Sequence, residues 1–380
     1  NEVAIEFIDF NVGKDSILYA ALILKNDWNC PKMIPLFEQK QLSKLINKSP
    51  NEIYSNKNGI QISKLIWEPL LPYVSKNLNV YFSPTNLLYK IAIESLPLTD
   101  KKLISDRNEI IRLSSTREIC INENKDSIIT SVLYGGLNYK LTDKQLVTES
   151  RAYASKGKMQ FRGEQFDLGN GISWNNLPQT QKEVLYIDSL FLTKNILRPK
   201  LYTGNRGNEE SFKDLSGKKI SLIHIATHGF FLPIERAKQL PFFNINDSQS
   251  IVENALDRSG LIFAGANVAW TGSRVPKGVE DGILTAKEIS TLDFRNTNLI
   301  VLSACETGLG EITSEGVFGL QRAFKKAGVK TIVMSLWKVN DDATKNFMAK
   351  FYYSLLNGRN KREAFNDAQK SLRSNKRFES

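Results

Sequence analysis

Three near-continuous apolar runs constrain this chain more than any other feature. Ile220–Ala226, Asn298–Ala304 and Lys330–Trp337 read as strands without the polar alternation of a half-exposed sheet. A strand that is apolar along its length must be buried on both faces. Stretches with helical spacing follow these runs: Gly316–Ala327 with Gly328 as C-cap, then Asp341–Leu356 and Lys361–Leu372. Strands alternating with helices predict a mostly parallel sheet covered by helices on both sides. In such sheets, sites form just beyond the carboxyl ends of strands. Two of the runs end in chemically useful residues. One leads into Thr227-His228-Gly229 and the other into Cys305-Glu306-Thr307-Gly308.

The region upstream reads as a separate small α/β unit, residues 1–125, with a larger unit over 126–380. Val3–Ile8 and Ile17–Leu24 flank a turn-rich Asn11–Asp15 and predict a hairpin. Asn79–Phe82 is a short strand, and the spacing over Asn86–Leu96 predicts a helix stopped by Pro97. In the larger unit, Ser127–Leu133 reads as a strand ending in Gly135-Gly136. Residues 144–175 read as a long exposed loop rich in Lys and Arg, and Pro178–Leu192 as a helix. Residues 231–280 look irregular, with a mobile loop near Trp270–Val279. There is no internal repeat.

Composition narrows the chemistry. The 380 residues suit two domains. No apolar run approaches the roughly 20 residues that span a bilayer, so no membrane partner is expected. No signal segment opens the chain, and its start at Asn1 suggests a piece of a longer polypeptide. Cys30, Cys120 and Cys305 are too few and too odd for a disulfide framework, which points to a reducing cytoplasm. Two histidines and no CxxC give no zinc pattern, and neither metal nor cofactor is expected. The formal charge is +11, and residues 321–380 carry 14 Lys/Arg against 5 Asp/Glu. That surplus could serve nucleic acid, but without interleaved aromatics it reads as the solvated faces of two helices.

A thiol beside an imidazole can lose its proton near neutral pH, and the thiolate is the nucleophile. If the two strands are neighbours, His228 and Cys305 face one another across one edge of the sheet. Gly229 lets backbone approach a substrate, and its N–H with that of Cys305 could form an oxyanion hole. His224, inside its apolar run, reads as a core histidine.

The segments around these residues resemble the CHAT family of caspase-like peptidase domains. His224-Ile225-Ala226-Thr227-His228-Gly229-Phe230-Phe231 resembles that family's histidine motif, and Val301-Leu302-Ser303-Ala304-Cys305-Glu306-Thr307-Gly308 its cysteine motif. Asp281-Gly282-Ile283-Leu284-Thr285-Ala286 is similar to the segment before the nucleophile strand, and Ser335–Asp341 to the next strand-to-helix junction. The likeness is specific over about 220–373 and looser upstream. It implies a three-layer α/β/α caspase-like fold with an N-terminal non-catalytic lobe. It also implies a dyad of His228 as base and Cys305 as nucleophile that cleaves one or a few protein substrates, regulated by an attached tetratricopeptide-repeat or sensor region. The Trp337–Asp341 spacing is similar to that of separases, which cut after arginine, so Asp341, or less readily Asp342, would select a basic residue. Both could equally cap a helix. An inactive scaffold that binds a protein partner is the alternative. The 77 positions from His228 to Cys305 suggest an insertion within 231–280 that shields the groove, and the 144–175 loop is a candidate for self-cleavage.

Overall fold

The computed structural model describes residues 2–13, 16–120, 128, 130–153, 173–232, 256–303, 312–313, 316–317, 319–335 and 341–375. The backbone divides into two compact units, Asn1–Lys125 with Ile312–Val317, and Asp126–Glu311 with Phe318–Ser380.

In the first unit, β1 (Glu2–Asn11) pairs antiparallel with β2 (Ile17–Lys25), as the hairpin pattern predicts. Val3, Ile5 and Phe7 of β1 point inward at alternate positions. β3 (Lys32–Glu38) continues this side, and β4 (Asn79–Ser83) pairs parallel with β1 on the other. The ribbon β5 (Pro97–Thr99) and β6 (Lys102–Leu103) precedes β7 (Glu109–Arg112), giving a sheet ordered β3-β2-β1-β4-β7. Trp67 anchors its core, with the indole N–H donating to the Ile93 carbonyl at 2.8 Å. The helix expected over Asn86–Leu96 does not form. Two 3-10 turns, Asn86–Lys90 and Ile93–Ser95, take its place. Leu88, Ile91, Ile93 and Leu96 are all buried, so their spacing served a core-facing irregular segment. Tertiary partners replace the helical bonds: the Ala92 N–H donates to the Tyr54 hydroxyl and Arg112 to the Ile91 carbonyl, both at 2.7 Å.

The second unit is built on a wholly parallel sheet. β8 spans Ser131–Leu137, later than the strand expected over Ser127–Leu133, and it runs through Gly135-Gly136. Those glycines serve close packing. A Cβ on Gly135 would meet the Thr180 carbonyl oxygen at 2.6 Å, in the helix Pro178–Thr193. β9 (Lys200–Gly204) forms one edge, and the buried β10 (Leu222–Ile225) lies on the other side of β8. A small antiparallel sheet follows, of β11 (Gly229–Phe231), β12 (Ser259–Ile262) and β13 (Ile283–Thr285). β14 (Leu299–Leu302) then joins the main sheet. The ribbon β15 (Ile312–Thr313) and β16 (Gly316–Val317) belongs to the first unit, and β17 (Thr331–Met334) closes the main sheet as β17-β14-β10-β8-β9.

Several sequence expectations need correction. Residues 143–150 form a helix opened by a Thr142/Gln145 capping box, so the expected loop over 144–175 is helical at its start; 154–172 lie outside the described residues. The expected irregular region 231–280 holds β12 and the helix Asn267–Trp270, while 233–255, including Phe242 and Phe243, lie outside the description. The helix expected from Gly316 begins only at Leu320, because Gly319 at its N-cap takes φ +117°, a conformation a helix cannot continue through. β9 and the helix Glu209–Lys213 carried no signal strong enough to be read.

The two faces of the main sheet have separate apolar layers. Ile223, Ile225, Ile300 and Leu302 pack against Phe212, Phe263 and Phe324 on one side. Leu222, Ala226, Leu299 and Val301 pack against Val184, Phe191, Phe351 and Tyr352 on the other. Helix Asp341–Leu356 and helix Lys361–Arg373 cover that second face, which gives the three-layer α/β arrangement of a caspase-like fold.

Candidate active site

β10 and β14 are neighbours, parallel and in register, with Leu222 opposite Leu299 and Ile225 opposite Leu302. The Ser303 N–H donates to the Ile225 carbonyl at 2.9 Å, extending the pairing one residue further. His228 comes three residues after Ile225, and Cys305 three after Leu302. Cys305 itself falls in 304–311, outside the described residues. Cys30 and Cys120 are exposed and unbridged, and belong to the first unit.

The turn that presents His228 is pinned from both sides. The Thr227 hydroxyl donates to the Ile262 carbonyl at 2.5 Å and lies 2.9 Å from the Tyr139 hydroxyl. The His228 ring sits between aromatic neighbours, with centroids 5.0 Å from Tyr139 and 4.8 Å from Trp174. Trp174 is held in turn by Asn267: its N–H donates to Oδ1 at 2.7 Å, and its carbonyl accepts from Nδ2 at 2.9 Å. Trp270 packs on Trp174 at 4.8 Å. His228 Nε2 is 2.8 Å from the Asn175 carbonyl oxygen. A carbonyl can only accept, so Nε2 carries the hydrogen and a neutral ring keeps its lone pair on Nδ1. Burial pushes the imidazole pKa below its ordinary value, and the Asn175 carbonyl pulls the other way. Both the burial and the Asn175 contact leave Nδ1 as the ring's accepting nitrogen in the neutral form.

Gly229 opens β11, the outer strand of the small sheet. Ile262 N–H donates to the His228 carbonyl, and Leu232 N–H to the Arg258 carbonyl. Bonded positions alternate along an antiparallel ladder, so Gly229, opposite Leu261, is a non-bonded position. Its N–H points away from β12. That leaves a donor beside His228 that the ladder does not use.

β17 pairs parallel with β14 on the side opposite β10, Leu302 facing Met334. The helix following it starts at Asp341. The Asp341 side chain is outside the description; Asp342 is exposed, and its carbonyl accepts from Asn346 at 2.7 Å.

The Asp281–Ala286 segment is fixed by a helix that sequence reading missed. Glu210 accepts from the Glu280 N–H at 3.0 Å and Glu209 from the Gly282 N–H at 2.9 Å. Gly282, at φ +78°, passes so close to Ala266 that a Cβ would lie 2.8 Å from its backbone. Lys213 Nζ sits among Glu209, Glu280 and Glu288 at 2.7, 3.0 and 3.1 Å. These three carboxylates have the spacing of a metal site, yet an ammonium already fills their centre. Burial pulls the Lys213 pKa down, but the carboxylates outweigh it and the net shift is upward. Burial lifts Glu210 to about 7, and burial with the Glu209 charge lifts Glu280.

Asn175, Trp174 and Tyr139 surround His228, and no motif announced them. Each is brought to His228 by tertiary structure, Trp174 from far along the chain through Asn267. His224, read as a core histidine, is fully buried.

Two tetratricopeptide repeat protein 28 sequences are similar to this chain: 38% identical over 97 residues in Mus musculus and 36% over 100 in Homo sapiens. Those matches cover 25% and 26% of this chain but only 4% of either relative. The PilB minor pilin from Streptococcus sanguinis aligns over 93% of this chain and 78% of its own, but at 8% identity and a TM-score of 0.19, which carries no argument. The CHAT domain, by contrast, matches residues 56–380. That stretch holds both strand ends described above, and the chain belongs to the CHAT family of caspase-like peptidase domains.

Proposed function

We propose that this chain is a cysteine endopeptidase in which Cys305 is the nucleophile and His228 the general base. The observation that carries the reading is the in-register parallel pairing of β10 and β14, whose continuations bear His228 and Cys305. The Cys305 thiol gives its proton to His228 Nδ1, and the thiolate attacks the scissile carbonyl. The N–H groups of Gly229 and Cys305 stabilise the oxyanion. The imidazolium then protonates the departing amine, and water hydrolyses the thioester. Asn175 holds the ring in the tautomer this requires.

Residues 126–380 form the catalytic domain in this reading, and 1–125 a non-catalytic lobe. Asp341 selects Arg or Lys before the cut by a charge-assisted hydrogen bond, with Asp342 the weaker candidate. The substrate is one or a few proteins. The family and the relatives' repeats support control by an attached tetratricopeptide-repeat or sensor region. No described helix is long and apolar enough to cross a membrane, and the unpaired Cys30 and Cys120 suit a reducing cytoplasm.

The test is cleavage profiling on a diverse peptide library with wild type, Cys305→Ala and Asp341→Ala. Cleavage lost in Cys305→Ala supports the peptidase. Cleavage retained there ends it, and a wild type that captures a protein but cuts nothing would favour the scaffold reading. A basic preference that vanishes in Asp341→Ala supports the pocket; an apolar or acidic preference in wild type rejects it.

A further inference from the structure

A line of polar groups runs through the otherwise apolar layer between the main sheet and the helices Pro178–Thr193 and Asp341–Leu356. His224 Nδ1 is 2.9 Å from the Tyr352 hydroxyl, and both residues are fully buried. His224 Nε2 lies 3.1 Å from Glu183 Oε1, displaced from the ring's N–H direction, so this contact is electrostatic more than a directed hydrogen bond. The other carboxylate oxygen, Oε2, accepts from the Ser303 hydroxyl at 3.1 Å. Glu183 is 8% exposed.

Burial holds the Tyr352 hydroxyl pKa well above its ordinary value, with the Glu183 charge adding to it, so the phenol keeps its proton. That proton can go to His224 Nδ1, which leaves the ring hydrogen on Nε2, the nitrogen 3.1 Å from Glu183 Oε1 but not aimed at it. The arrangement is not explained by stability. Exchanging a buried polar group set for packed apolar side chains is often neutral or favourable. Its terminus is informative instead: Ser303 is the first residue past β14 and stands two positions before Cys305. Its backbone N–H is tied to Ile225 of the strand that presents His228. Ser303 is thus held at main chain and side chain, from two different elements.

We propose that Glu183 is a positioning residue for the nucleophile, fixing Ser303 and with it the exit of the chain from β14 towards Cys305. This rests on Cys305 being the nucleophile. Glu183 touches no substrate, and His224 and Tyr352 orient its carboxylate. Misplacing a reacting group by about an ångström can cost on the order of a hundredfold in rate.

The experiment uses the full chain carrying Cys30→Ser and Cys120→Ser, so that Cys305 is the one thiol. The rate of its alkylation by iodoacetamide is measured beside kcat and KM on the preferred peptide and beside the melting temperature. Glu183→Leu and Ser303→Ala should each change the alkylation rate by about threefold or more and lower kcat by about tenfold or more, with KM within about twofold. Glu183→Gln, whose amide oxygen can still accept from Ser303, should recover most of both. Wild-type alkylation and kcat in folded Glu183→Leu and Ser303→Ala would overturn the proposal. So would a loss of kcat that follows melting temperature while alkylation stays constant. Should Glu183→Leu fail to fold, Ser303→Ala decides. A failure of the peptidase reading shows separately, as cleavage that survives Cys305→Ala, while the alkylation rates still report on positioning.

Discussion

Both units place parallel strands side by side, and the carboxyl ends of those strands differ sharply. In the first unit they are closed by hydrogen bonds among their own residues. Thr85 donates to Asp9 at 2.5 Å, Asn86 to Asp9 and Gln39 at 3.1 and 3.2 Å, and Thr116 to Glu6 at 2.5 Å. In the second, β10 runs into a neutral histidine with an accepting nitrogen and a glycine N–H that the ladder does not use. The same architecture closes its own polar groups in one place and leaves an imidazole nitrogen and a backbone N–H outside the ladder in the other. A sheet edge becomes a site when polar groups are oriented but not consumed.

Substitutions on each side should separate these roles. His228→Ala should lower turnover by on the order of 1,000-fold while leaving the melting temperature close to wild type. Equal loss of activity and stability would blur the contrast. Lys213→Met should cost about 3–5 kcal/mol in chemical denaturation, since it strands three carboxylates around an empty centre. A near-neutral result would mean that the carboxyls take up protons instead. Asp9→Ala should cost about 1–3 kcal/mol by orphaning the buried Thr85 hydroxyl and leaving Asn86 with Gln39 alone, with turnover unchanged. A fall in turnover there would give the first unit a catalytic part.

Proton linkage supplies the smaller effects. The His228 pKa is depressed, so the acid limb of kcat/KM should have its midpoint below the ordinary histidine value of about 6.5. A midpoint above it would contradict the buried site. Glu210, raised to about 7, binds a proton more tightly folded than unfolded. Its contribution is present below pH ~4.5 and is lost as pH rises through about 7. Glu210→Gln should flatten that slope in melting temperature against pH, which thermal scans would show.

Much of this was legible in the residues. Apolar continuity marked β10, β14 and β17, and Thr227-His228-Gly229 marked the turn that leaves β10 for β11. What stayed hidden depends on distant partners. Nothing local makes Asn175 a tautomer-fixing acceptor, and nothing separates Leu88, Ile91 and Ile93 from a helix until Tyr54 and Arg112 take the backbone groups. Glycines misled twice: Gly135 sits inside a strand, where an approaching helix leaves no room for a Cβ, and Gly319 delays a helix its neighbours favour. Glu183 carried no motif, although it lies beneath the segment with the strongest one.

The ribbon of β15 and β16 has a consequence for synthesis. It belongs to the first unit but begins 187 positions after Lys125 (312 − 125). At ribosomal speeds of about 5–20 residues per second, it is made roughly 10–40 seconds after the rest of that unit. Whatever the first unit forms before then, it forms without its last two strands. Their addition is a high-contact-order step, and such steps come late. The first unit therefore closes only after β8, β10 and β14 of the second have been made, so the two units are interleaved in the order of their synthesis.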